Sequence, residues 1–378
     1  MHRSMHVRLF DQLYLCMPVN CVHTAAGLRC LPSLDVPFVV GIGPAKSGST
    51  AVFRTLSSHS RVEIGSAGRR GECCFSELYF FVRPFDRKHH NLSVALLQEY
   101  FATPFGGAAG GSVSWFGEKT PRYSGHTLVP FLVRTLLPEA RLVYTLRSAD
   151  ELDASLYRFR AMHDVMSYDS WVARRVEAHR AWEDCRAAQL RQIGGVALTP
   201  PWRLYDGSTP HATVEAIEAL LHGSCGQGAH HANGTLDTFR DVLPGASLRR
   251  WAFSFAEERI LCVRMLDHLN DWPTVRASRR TLGCHRRRHD TSARAVPRLF
   301  HRSLSSLCAQ VAARLGRFLD VAPVGFHRSA GEEHTRLTYV SPLASVSASE
   351  ATRAALAAEV ARDDAESGEW TRRLCGSS

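Results

Sequence analysis

The chain has 378 residues, of which 45% are hydrophobic and 22% are charged, and its net charge at pH 7 is +10. This balance excludes an intrinsically disordered chain, and the length fits one large α/β domain or two modest ones. Only three of the 46 basic residues are lysines, so arginine carries the positive charge. Such a surplus suits an anionic ligand, but no helix-turn-helix spacing or aromatic-interleaved basic motif indicates a nucleic-acid partner.

Residues 1–35 form an N-terminal segment whose structure the sequence leaves undefined. Their apolar runs, such as residues 13–17, are shorter than the roughly 20 apolar residues of a membrane-spanning helix. No signal peptide with a small-residue cleavage site is visible. The sequence therefore shows no membrane anchor, and we place the globular domain at residues 36–378.

A phosphate-binding loop is predicted after the first buried strand. Residues 37–41 form that strand, and an amphipathic helix follows, which Ser49 or Thr50 could cap. Backbone N–H groups in such a turn and the helix N-terminus together bind phosphate. Because Lys46 precedes Gly48 instead of following it, the turn does not match the Walker A pattern of ATP- and GTP-binding loops. The turn reads Gly43-Pro44-Ala45-Lys46-Ser47-Gly48-Ser49-Thr50.

A second strand–helix unit follows later in the chain. Residues 140–148 are a β-branched and aromatic run that includes Arg147, and residues 149–159 are predicted to be helical. Ser155 follows Arg147 by eight residues. Arginine can clamp a phosphate with two hydrogen bonds, and serine offers a neutral donor. The two units predict a central parallel sheet flanked by helices on both faces, with phosphate sites at the carboxyl ends of its strands.

Two segments between these units contain candidate catalytic residues. Glu72 follows two arginines and a glycine, so its carboxylate could stay ionised and accept a proton. Lys119 lies in the short run Gly117-Glu118-Lys119-Thr120-Pro121. In a chain with so few lysines, Lys46 and Lys119 are informative, because lysine offers a compact, mobile ammonium where arginine offers a planar fork.

The order of these motifs resembles that of sulfotransferases, which use 3′-phosphoadenosine 5′-phosphosulfate (PAPS) as donor. The resemblance covers roughly residues 36–160 and is closest to carbohydrate sulfotransferases of the glycosaminoglycan type. It implies a P-loop-like α/β fold, a PAPS donor without a metal, and a hydroxyl or amine of a carbohydrate as acceptor. It also implies that the 5′-phosphosulfate loop contacts the donor through Lys46, Ser47, Gly48, Ser49 and Thr50.

The same resemblance implies roles for the remaining candidates. Arg147 and Ser155 would bind the 3′-phosphate, Glu72 would be the general base, and Lys119 would face the acceptor and the transferring group. The family often has histidine two residues after the base, where this chain has Cys74.

Several alternatives therefore remain open. The chain could bind PAPS or its product, adenosine 3′,5′-bisphosphate (PAP), without activity, or it could sulfate a small molecule or a tyrosine. His126 and His163 are rival bases, since small-molecule sulfotransferases use histidine in that role. A P-loop kinase is a weaker alternative.

The rest of the domain is predicted to be a helical region around a loop-rich insertion. A long amphipathic helix is expected at 169–195, and the insertion at 196–247 should contain one helix at 213–221. A buried strand is expected at 258–263. The helical C-terminus follows, with predicted helices at 304–319 and 349–362, the latter capped by Ser349.

Cysteines and glycosylation sequons favour the secretory pathway, with the Golgi lumen as the expected location. Eleven cysteines leave at least one unpaired in a monomer. Asn91 and Asn233 begin Asn-x-Ser/Thr sequons. The adjacent histidines at 89–90 and 230–231 and the stretch at 284–289 lack metal-ligand spacing, so no metal site is predicted.

Overall fold

The computed structural model describes ten stretches of the chain, and within them it contains one large parallel sheet. The described residues are 21–24, 27–30, 37–65, 78–85, 113–159, 165–194, 204–230, 242–264, 310–322 and 348–376. Their strands are β1 (Cys21–Thr24), β2 (Gly27–Cys30), β3 (Phe38–Gly41), β4 (Val62–Ile64), β5 (Trp115–Lys119), β6 (Arg141–Leu146) and β7 (Ile260–Arg264).

The helices pack around this sheet, and residues 310–319 are helical as well. The α-helices are α1 (Ser49–Ser57), α2 (Val129–Leu136), α3 (Ala149–Phe159), α4 (Tyr168–Gly194), α5 (His211–His230), α6 (Pro244–Ser254) and α7 (Glu350–Cys375). Short 3₁₀ helices lie at Phe80–Phe85, Pro121–Tyr123 and Glu257–Arg259.

The sheet has five parallel strands in the order β4-β5-β3-β6-β7. At its centre, β3 pairs with β5, where Gly41 lies opposite Lys119, and with β6, where Val40 lies opposite Leu142. This confirms the predicted parallel pairing of the two strands that precede the phosphate motifs. Since β3 and β6 are neighbours, the loops that follow them meet at the same edge of the sheet.

Both faces of the sheet are covered by helices, as predicted. Val40 on one face packs in a cluster with α2 and α6 that includes Trp251. Val39 on the other face packs with α1 and residues 310–319, in a cluster that includes Phe53. Burial on both faces explains why β3 is a continuous hydrophobic run without polar alternation.

The phosphate loop begins in direct contact with β6. The Ile42 N–H donates to the Val143 carbonyl at 3.0 Å, which extends the β3–β6 pairing beyond the end of β3. At Gly43 a β-carbon would overlap the hydroxyl and amide of Thr145, so only glycine fits there. The loop is therefore positioned by the strand that leads to Arg147.

The helical region contains the helices that the sequence predicts and one that it does not, α6, which begins inside the predicted insertion. The predicted helices at 169–195 and 213–221 correspond to α4 and α5, and α5 is about twice as long as expected. The C-terminal helix α7 begins where predicted, since Ser349 Oγ accepts a hydrogen bond from the Thr352 N–H at 3.1 Å. It continues to Cys375, beyond the predicted end at residue 362.

Two disulfide bonds link distant elements. Cys185 of α4 pairs with Cys225 of α5, and Cys262 of β7 pairs with Cys375 at the end of α7. The second bond joins the last helix to an edge strand of the sheet. Among the described helices, none has a stretch that is both long and apolar enough to span a bilayer.

Candidate functional site

The loop between β3 and α1 has an unusual backbone conformation, and no side chain caps the N-terminus of α1. Lys46 and Gly48 both have positive φ, at 68° and 98°. Such a conformation is strained for lysine, and strained residues concentrate at functional sites. Gly48 is the N-cap of α1 and no side chain caps this helix, so the expected cap by Ser49 or Thr50 is wrong. The first N–H groups of α1 are thereby left for another acceptor.

The hydroxyl of Ser47 fixes the loop to the sheet. It donates to the Pro44 carbonyl at 2.6 Å and lies 2.5 Å from the Thr145 hydroxyl on β6. Ser47 is buried. Its N–H also donates to the Pro44 carbonyl at 3.4 Å, so both the hydroxyl and the N–H of Ser47 hold the loop in shape.

Arg147 joins the two predicted phosphate motifs. Its Nη1 donates to the Lys46 carbonyl at 3.1 Å, and its Nε lies 3.4 Å from Glu151 Oε2. The guanidinium therefore lies against the loop after β3, although Arg147 follows β6. The residue proposed for a 3′-phosphate is next to the residue proposed for the 5′-phosphosulfate.

The ammonium of Lys46 faces the end of α3. Its Nζ lies 4.7 Å from the centre of the Phe159 ring, and no carboxylate among the described residues pairs with it. Burial lowers the pKa of Lys46, and the nearby charges of Arg147 and Arg158 lower it further. An anion at this place would reverse the effect, because an opposite charge favours the ammonium form.

One face of α3 is directed toward the loop. Glu151, Ser155, Arg158 and Phe159 share this face, since they are three or four residues apart along the helix. Within the described part of the chain, the partly buried hydroxyl of Ser155 has no hydrogen-bond partner. Sequence reasoning did not select Arg158, and its spacing of three residues from Ser155 was the available signal.

Lys119 is buried at the carboxyl end of β5, beside the start of the loop. The Thr120 N–H donates to the Gly41 carbonyl at 3.3 Å, which extends the β3–β5 pairing. The buried Glu118 accepts from the Tyr123 hydroxyl at 2.8 Å and from the Thr120 hydroxyl at 3.3 Å. Burial and the charge of Glu118 raise the pKa of Tyr123 well above its usual value, so the phenol is a donor. These bonds hold the turn that carries Lys119.

Glu72 and His163 lie outside the described residues, but the two ends of the Glu72 segment are described. Before it, the Gly65 N–H donates to the Gly117 carbonyl at 2.7 Å. After it, the Tyr79 N–H donates to the Thr120 hydroxyl at 3.1 Å. The segment that contains Glu72 is thus attached at both ends near Lys119, at Gly117 before it and at Thr120 after it.

The rival base His126 is buried and lies against α5. Its Nδ1 accepts from the Leu128 N–H at 3.3 Å, and its ring lies 5.1 Å from the ring of His222. The described contacts therefore join His126 to α5, and none joins it to the phosphate loop.

Among the described residues, the side chains of the site carry more positive than negative charge. Burial and the charge of Arg147 lower the pKa of both Lys46 and Arg158, and among the described residues Glu151 is the carboxylate paired with any of the three. In the described part of the chain, no group of three or more His, Cys, Asp and Glu side chains could hold a metal ion. Partly buried cations with hydroxyl and N–H donors beside them can bind a polyanion such as a nucleotide.

This chain is similar to proteins described as sulfotransferases. No protein-family profile matches the chain. Over 128 residues it is 27% and 26% identical to the bifunctional heparan sulfate N-deacetylase/N-sulfotransferase 1 of Xenopus tropicalis and of Xenopus laevis. Each alignment covers 34% of this chain and 13% of the relative. The sequence similarity confirms the resemblance found in the motifs.

A sulfotransferase from Alicyclobacillus acidocaldarius, solved by crystallography, superposes with a TM-score of 0.39 at 19% identity. The superposition covers 76% of this chain and 98% of that one.

Proposed function

We propose that this protein is a sulfotransferase that transfers the sulfuryl group of PAPS to a hydroxyl or amine of a carbohydrate. The observation that carries the proposal is the convergence of Lys46 and Arg147 at the carboxyl edge of the sheet, next to an uncapped helix. Partly buried positive charges of this kind are stabilised by an anionic ligand. The similarity to heparan sulfate N-sulfotransferases favours a carbohydrate acceptor.

The donor would lie along the carboxyl edge of the sheet. Its 5′-phosphosulfate would accept hydrogen bonds from the N–H groups at the start of α1, including those of Ser49 and Thr50. Its 3′-phosphate would bind Arg147 and the hydroxyl of Ser155. Ser155 and Arg147 follow β6, whereas the loop follows β3, so the pairing of these strands sets the spacing between the two subsites.

Lys46 would assist the departure of the 5′-phosphate. In sulfuryl transfer, the acceptor oxygen or nitrogen forms a bond to sulfur, and the bond from sulfur to the 5′-phosphate oxygen breaks. The bonding electron pair leaves with the phosphate, as in phosphoryl transfer. The Lys46 ammonium and the loop N–H groups can stabilise this charge, since they are held in place before the reaction.

The acceptor would lose its proton to Glu72, with Lys119 facing the transferring group. General-base catalysis requires a carboxylate within hydrogen-bond reach of the acceptor. Two facts support this assignment: Glu72 lies between Gly65 and Tyr79, and both of these are bonded to β5 or to the turn after it. Lys119 lies between those two anchor points.

The location we propose is the secretory pathway, with the Golgi lumen favoured. Two disulfides in the described residues support an oxidising compartment, since such bonds are rare in the cytosol. A glycan acceptor would be met in the same compartment.

The decisive test is incubation with sulfur-labelled PAPS and a panel of glycans, steroids and tyrosine peptides. Label on a glycan is the expected result. Label on a steroid or a peptide would show that the acceptor belongs to that class and is not a carbohydrate. Binding of PAP without any transfer would show a binding protein without activity. Magnesium-dependent turnover of ATP would indicate a kinase.

A further inference from the structure

A partly buried arginine of α3 has no function assigned by the motifs. Arg158 follows Ser155 by three residues, so the two side chains lie on neighbouring positions of one helix face. The Arg158 Nε donates to the Ala154 carbonyl at 3.1 Å. This bond to a residue four positions earlier turns the guanidinium back along the helix, toward the end where Arg147 lies.

Arg158 is not neutralised within the described part of the chain. No described carboxylate pairs with it, and its two Nη groups have no hydrogen-bond partner there. Burial and the charge of Arg147 lower the pKa of Arg158, while Tyr168 acts in the opposite direction. The Arg158 guanidinium is thus close enough to Arg147 to be affected by its charge, and of the two only Arg147 is paired with a carboxylate, Glu151, among the described residues.

Some of the hydrogen-bond donors of Arg147 are already used within the protein. Its Nη1 is bonded to the Lys46 carbonyl, and its Nε faces Glu151. A terminal phosphate monoester carries close to two negative charges at neutral pH and has three acceptor oxygens. Among the described residues, Arg147, part of whose donors are already used, and the Ser155 hydroxyl would leave such a phosphate short of both charge and donors.

We propose that Arg158 is a second guanidinium for the 3′-phosphate of the donor, opposite Arg147 and next to Ser155. This inference rests on the proposed function, because it names a further contact of the same donor. Arg158 would supply its two Nη groups to the phosphate and make the site selective for a nucleotide with a 3′-phosphate.

The test compares two nucleotides on the full chain by titration calorimetry: PAP, and adenosine 5′-monophosphate. In Arg158→Gln, we expect PAP to bind roughly 10-fold or more weakly, the scale of a lost charge-assisted hydrogen bond, while the monophosphate changes less than about 2-fold. Arg158→Lys should recover part of the loss. Arg174→Gln removes an exposed arginine of α4 and is the matched control.

Unchanged PAP affinity in Arg158→Gln, or an equal loss for both nucleotides, would overturn the assignment. Thermal unfolding of each variant separates a binding defect from a folding defect. If Arg158→Gln does not fold, the PAP affinity of Arg158→Lys is compared with that of the unsubstituted protein instead. If the unsubstituted protein binds neither nucleotide, the proposed function itself fails. Selective binding of PAP that is independent of Arg158 would leave the function standing and refute only this inference.

Discussion

Arg147 donates a hydrogen bond from Nη1 to the backbone carbonyl of Lys46 at 3.1 Å, across 101 residues of sequence. The bond connects the loop after β3 with the turn after β6. It holds the loop at Lys46, whose backbone has the positive φ of 68°. A change at Arg147 should therefore affect the loop as well as any phosphate that Arg147 binds.

Replacing Lys46 tests the catalytic part of the site. Lys46→Ala should lower sulfuryl transfer by roughly 10²-fold or more, because the leaving phosphate loses a preorganised cation. The affinity for PAP should fall much less, since the loop N–H groups remain. Transfer of label from PAPS and calorimetry with PAP measure the two effects. Near-normal transfer in Lys46→Ala would remove Lys46 from the mechanism.

Replacing Arg147 tests the 3′-phosphate assignment. Arg147→Ala should weaken PAP binding by roughly 10- to 100-fold, the range for a lost charge-assisted contact. Glu151→Gln is the control, because it removes the neighbouring carboxylate and keeps the guanidinium; its PAP affinity should stay equal or improve. Unchanged PAP affinity in Arg147→Ala, measured by calorimetry, would show that the 3′-phosphate binds elsewhere.

Replacing Glu72 tests the general base. Glu72→Gln should keep PAP binding and lower turnover by roughly 10²-fold or more, the scale of general-base loss. His126→Ala and His163→Ala are the comparison variants, and each should retain most of its turnover. The opposite pattern, with activity in Glu72→Gln and collapse in a histidine variant, would move the base to that histidine and weaken the glycan assignment.

His211 should make folding stability depend on pH. Burial and the charge of Arg134 lower the pKa of His211 to about 4, below its ordinary value of 6.5. The folded state then binds fewer protons than the unfolded state between these values, so its contribution is present above about pH 6.5 and is lost as the pH falls toward 4.

Denaturant unfolding measured from pH 7 to pH 4 tests this prediction. The ring centres of His211 and Phe253 are 5.0 Å apart, and His211→Phe keeps a ring at this place. Its stability should fall less steeply at low pH than that of the unsubstituted protein. Equal slopes for the variant and the unsubstituted protein would contradict the lowered pKa.

Local sequence patterns predicted three of the five strands of the large sheet, whereas β4, β5 and the helices α2 and α6 were not predicted. The strands predicted at 37–41 and 140–148 correspond to β3 and β6, because buried parallel strands are continuous hydrophobic runs. Their strand–loop–helix context then predicted the parallel pairing that the structure contains. The helix cap was mispredicted at Ser49 and Thr50 because residue preference cannot show that a glycine with positive φ ends the preceding turn.

The contacts between distant segments were decided by the tertiary structure alone. The sequence named Lys46, Ser47 and Arg147 from motif order, but it could not show that the Ser47 hydroxyl is bonded to β6 or that Arg147 holds the Lys46 carbonyl. Nor could it pair Cys262 with Cys375. Periodicity and spacing report neighbours along one element, whereas these contacts depend on which elements the sheet places side by side.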